Sequence, residues 1–155
     1  MRRGLAVLDF VWHLRGSVAV EATGSDALYL DRIEQMLKQQ KKPSIERGQQ
    51  TIVFEEPLWS NYLDSNWRAT AIYDHGEFRI EKDLSGKRLL YDLRSFQAFA
   101  FCAVGALMFF FFGLPGGLLN GLKFGGLAFG WVYGMNIGIA LIRVPALIKR
   151  TVRSD

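Results

Sequence analysis

The sequence predicts an α+β protein in two parts. A cytoplasmic antiparallel sheet with one packed helix occupies residues 1–95, and a two-helix transmembrane hairpin occupies 96–142. A basic cytoplasmic tail, 143–155, follows. Three observations carry this. The first part alternates apolar and polar residues with the period of strands. The second holds two charge-free runs, each about the 20 residues that a membrane-crossing helix needs. The charge is also divided: residues 1–95 carry 14 Lys/Arg and 14 Asp/Glu, whereas 96–155 carry five cations and Asp155 alone, which accounts for the whole net charge of +4.

The elements follow in order. Phe10, Trp12, Leu14, Val18, Val20 and Ala22 are apolar around Gly16, with His13, Arg15, Ser17 and Glu21 between them, a long strand. Ser25 and Asp26 are capping residues for a helix with Leu30, Ile33 and Leu37 on one face, and Pro43 stops it. SIERG and QQTIVFEE read as a hairpin. NWRATAIYDHG places Trp67, Ala69, Ala71 and Tyr73 on one face of a further strand. GEFRIEKD and GKRLLYDLRS complete about five strands after the helix, with DHG and DLSG as turns. In outline this order resembles lipid-binding START-like folds and pleckstrin-homology-like folds. It has no long C-terminal helix like the first, its helix comes early where the second has it last, and no motif assigns the chain to either.

The two spans are expected at about 96–115 and 124–142, joined by a turn around GLPGGLLNGLK. Lys87, Arg88 and Arg94 precede the hairpin, and Arg143, Lys149, Arg150 and Arg153 follow it. Only Lys123 lies in the turn. This asymmetry determines a topology with both termini in the cytoplasm, as in a bacterial inner membrane. The start, MRRGLAVLDF, has too short an apolar run for a cleaved signal peptide.

Gly126, Gly130, Gly134 and Gly138 recur every fourth residue along one helix face. In a bilayer small residues let backbones approach. The expected partner is the first span, with its own small residues Ala98, Cys102 and Ala106; another copy or another membrane protein is the alternative. Trp131 and Tyr133 lie near the middle of the expected span rather than in an interfacial belt, and Asn136 needs a hydrogen-bond partner there.

Chemistry-bearing motifs are sparse. His75 could lie near Asp92 as an acid–base pair, but DHG is ordinary turn chemistry. His13 is expected in solvent. Two histidines and one cysteine suggest no metal site, and no cofactor is expected. The serines lack a nucleophile-elbow context, and the basic residues flank apolar runs instead of clustering for nucleic acid. The loop EEPLWSNYLDSNW, with Trp59, Tyr62, Leu63 and Trp67, is a candidate binding lip. The expected role is a non-enzymatic, membrane-anchored interaction or accessory protein whose partners are the lipid bilayer and a second copy or another membrane protein. Binding of a lipid or apolar ligand by the cytoplasmic domain, and an oligomeric pore or transport subunit, are the alternatives.

Overall fold

A computed structural model of the protein describes residues 12–57, 70, 72–84 and 86–153. The candidate lip residues Trp59, Tyr62, Leu63 and Trp67, with Ala69 and Ala71, lie outside them. Strand β1 (His13–Val20) is followed by helix α1 (Asp26–Gln39) and strands β2 (Ser44–Arg47), β3 (Thr51–Glu55), β4 (His75–Asp83) and β5 (Gly86–Arg94). All pairs are antiparallel, in the order β1-β5-β4-β3-β2. The expected strand through 67–73 is not seen where the chain is described: Thr70 and Ile72 lie in turns, and among the described residues four strands follow α1. His75 and Gly76, read as part of a turn, open β4 instead.

The alternation works as expected. Leu14, Ile52, Phe54, Phe78, Ile80, Leu89, Tyr91 and Leu93 turn to one face and pack with Leu30, Ile33, Met36 and Leu37 of α1. Ser25 caps α1, its Oγ accepting from the Leu28 amide at 3.2 Å. Two strand glycines make room for large rings. A Cβ on Gly16 would lie 2.2 Å from the Tyr91 hydroxyl oxygen, and one on Gly76 would lie 2.2 Å from Phe54 Cε1. The aromatic side chains thus rest directly on the sheet backbone.

Two long apolar helical segments follow. The first is α2 (Phe96–Gly113), closed by a 3₁₀ turn (Leu114–Gly116). Gly117, at φ 101°, reverses the chain in a conformation that favours glycine. The second segment starts at Leu118, six residues earlier than expected, and runs to Arg153 as α3 (Leu118–Phe129), a wide π turn (Gly130–Gly134) and α4 (Met135–Arg153). Lys123 therefore sits within a helix. Both segments are long and apolar enough to cross a membrane.

The tail differs from its expected role. Residues 143–153 continue α4, and its Ala140, Val144, Ile148 and Val152 are buried with α1 and the sheet. Arg32 Nη1 donates to the Val152 carbonyl at 2.8 Å. The cations at 143, 149, 150 and 153 masked this stripe, which recurs every fourth residue on the opposite face.

Candidate functional site at the joint of sheet and hairpin

The end of β5 runs directly into α2, so everything near Ser95 links the sheet to the helices. Ser95 is fully buried; its amide donates to the Trp12 carbonyl at 2.8 Å, and its Oγ lies 3.3 Å from the Tyr133 hydroxyl. Around it stands a chain of rings. Trp12 meets Phe96 and Phe99 at 5.9 and 5.3 Å between centroids, and Phe99 meets Phe129 and Tyr133 at 5.5 and 5.4 Å. Tyr133 belongs to the π turn. A π turn widens the helix by one residue, which resets its phase just where it stops facing α2 and begins to face the sheet domain. Asn136 finds its partner within its own helix: Nδ2 donates to the Val132 carbonyl at 2.8 Å.

A second, polar layer lies beside the rings. Lys42 is buried at the end of α1. Its Nζ donates to Glu56 Oε2 at 2.6 Å and to the Tyr73 carbonyl at 2.7 Å, and lies 5.1 Å from the centre of the Phe54 ring. Gln97 Nε2 donates to the Glu56 carbonyl at 3.0 Å, tying this pair to the first turn of α2. Burial pushes the Asp74 carboxyl up from its ordinary value, while the backbone amides of Phe96 and Gln97 and the nearby His75 oppose that shift. Asp74 therefore sits at the positive end of α2, where Ser95 makes no side-chain cap.

The outer face of the sheet brings the two histidines into one cross-strand row. His13 lies opposite Arg94, Arg94 opposite His75, and His75 opposite Glu55. The expected neighbours are exchanged. Asp92 partners His13, with Nδ1 to Oδ1 2.9 Å apart, and Arg15 Nε donates to its other oxygen at 3.0 Å. His13 is thus a paired side chain only 8% exposed, not a solvated one. His75 instead faces Glu55 at 3.3 Å. Among the described residues no serine, threonine or cysteine hydroxyl or thiol bonds either histidine, so no nucleophile joins the pair. No described group of three or more potential ligands is placed to hold a metal.

The glycine stripe does not receive the other helix of the hairpin. A Cβ on Gly126, Gly130, Gly134 or Gly138 would meet nothing within 4 Å. The close approach falls to a different set. A Cβ on Gly121 would lie 2.9 Å from the Phe110 carbonyl oxygen, and one on Gly125 would lie 3.0 Å from that of Ala106. Gly113 is equally tight against Asn120 and Gly121. Of the small residues expected on the first span, Ala106 takes part in this seam; Ala98 and Cys102 are half-buried. Both glycine sets recur every fourth residue, and the sequence does not say which one faces α2.

The cations assigned to topology also separate. Lys87 is buried at the end of the sheet remote from α2, paired with Asp26 and stacked 5.4 Å from the Tyr29 ring. Arg88 lies beside it, exposed, near the β4–β5 turn. Arg94 stands at the joint, and Arg143, Lys149, Arg150 and Arg153 are exposed along α4. Comparison with family models, with curated proteins and with solved structures returned no match.

Proposed function

We propose that the chain is an integral membrane protein whose hairpin crosses the bilayer twice and holds the α+β domain against its cytoplasmic face, as a non-enzymatic interaction or accessory module. The exposure of the hairpin carries this reading. Only 6% of the apolar stretch of the first segment is buried, and Phe101, Val104, Leu107, Met108, Phe109, Phe111 and Phe112 all face outward. A soluble protein covers such a helix; here lipid does.

The helix pair supports revised span limits. The 18 residues of α2 extend about 27 Å, close to the ~30 Å hydrocarbon thickness. Tyr133 is level with Ser95, so Trp12, Trp131 and Tyr133 stand at the sheet end of the pair, the position of an interfacial belt. Lys123 lies about a turn and a half from the far end, within reach of the headgroups by snorkelling. Arg94, Arg143, Lys149, Arg150 and Arg153 on the sheet side, against Lys123 on the other, support a cytoplasmic domain by the excess of cations on that side.

The joint favours rigid coupling between domain and hairpin over ligand binding between α1 and the sheet. The rings that rest on Gly16 and Gly76 fill that interface. A pore has little support, since α2 carries no ionisable side chain other than Cys102. The open face at Gly126, Gly130, Gly134 and Gly138 fits a helix from a second copy or from another membrane protein. Reporters of compartment test the arrangement. Fusions before Met1 and after Asp155 should both report cytoplasm, and one inserted at Asn120 the far side; opposite locations for the two ends would remove the hairpin.

A further inference from the structure

We propose that the outward face of α4 leans on the cytoplasmic headgroup layer and binds anionic phospholipid. This rests on the membrane reading above. Its first support is a mismatch between the two apolar surfaces. On the α2 side the apolar surface starts at Phe96, which the contact between Ser95 and Tyr133 sets level with Tyr133. On the other side it continues through Met135, Ile139, Leu141 and Ile142, all exposed, before Arg143 ends it. From Tyr133 to Ile142 is nine residues, about 14 Å along a helix. A flat bilayer boundary matches both ends when the hairpin tilts towards its α4 side. With helix axes about 8–10 Å apart plus the side chains, the tilt needed falls in the upper part of the usual range of about 0–40°.

The phase of α4 says what that tilt brings down. At about 100° per residue, Arg143, Lys149, Arg150 and Arg153 share one arc with Met135, Ile139 and Ile142. Val144, Ile148 and Val152 hold the opposite side in the core. The same lean that places the apolar part of the arc in hydrocarbon therefore sets its basic part over the headgroups. The charges are available for it. All four cations are exposed, none is in an ion pair with a described acid, and no Asp or Glu occurs between Phe96 and Ser154. A basic helix face held at the surface of an anionic leaflet gains attraction with each charge, to a depth set by the ~8 Å screening length.

Spin labels on the full-length chain test this, with Cys102→Ser as background and reconstitution into phosphatidylcholine vesicles with or without phosphatidylglycerol. Labels go at Leu107→Cys, Ala146→Cys in the basic arc, and Glu81→Cys on the sheet. Accessibility is read with oxygen and with a water-soluble nickel chelate. The Ala146 label should be shielded from nickel relative to Glu81, more so with phosphatidylglycerol. Replacing Arg143, Lys149, Arg150 and Arg153 by Gln should abolish that lipid dependence and bring phosphatidylglycerol around the protein down to its bulk fraction. An Ala146 label as open to nickel as Glu81 in both vesicles, or unchanged enrichment in the Gln variant, overturns the inference while the membrane reading stands. A Leu107 label open to water overturns both.

Discussion

At the scale of single residues the most consequential group is Asp74. Its carboxyl is raised above the ordinary 3.8, chiefly by burial. A folded state that raises an acid's pKa holds the proton more tightly than the unfolded chain does. The contribution to stability is therefore greatest at low pH and is lost as pH rises through the folded value. At neutral pH the charged carboxylate is a net cost, only partly offset by the amides of Phe96 and Gln97. Asp74→Asn keeps an oxygen for those amides and removes the charge. The variant should melt higher than the native chain at about pH 7.5, with the gap narrowing as the pH falls through the raised folded value and Asp74 takes up its proton. Thermal melts across that range check it; a variant less stable at neutral pH would mean that capping by the charge outweighs its desolvation.

At the scale of elements the two glycine sets part company. Gly121 and Gly125 touch backbone carbonyls of α2, so bulk there must push the helices apart. Gly121→Leu and Gly125→Leu should each cost about 1–3 kcal/mol or more of hairpin packing and increase protease sensitivity in detergent. Gly130→Leu and Gly134→Leu add a side chain into open space and should leave the hairpin compact. A fall in particle size by light scattering with these two, at unchanged protease resistance, would identify the open face as a contact between copies. If all four variants behave alike, the seam is not at Gly121 and Gly125.

At the scale of the whole molecule the sheet domain and the C-terminal part of the second long helix share one core. Ile148 and Val144 are fully buried and share the core with Leu30 and Ile33. Without α4, residues 1–95 expose that side of α1 and β1. Ile148→Ala should cost about 2–5 kcal/mol, through lost burial and the cavity left behind. Ending the chain at Ile142 should abolish the cooperative melt of the sheet domain. Retention of a native-like melt in the shortened chain would show that α4 only rests on the domain.

What the sequence determined by itself was most of what local period and hydropathy govern, though not the strand expected through 67–73 or the start of the second long helix. Alternation around Leu14, Phe78 and Leu89 marked strands and their buried face. Ser25 and Pro43 bounded α1, and two uncharged runs announced long apolar helices. Tertiary structure alone decided which of several equivalent faces meets which. A spacing of four fits Gly121–Gly125 and Gly126–Gly130 equally, and only close packing of two backbones selects the first. Basic residues hid the Val144–Ile148–Val152 stripe because a helix shows both faces to composition at once. The register of β1 on β5 placed Asp92 beside His13, 79 residues away, instead of beside His75. Pairings of that kind depend on which strands become neighbours, and that is fixed when the whole chain buries its apolar surface together.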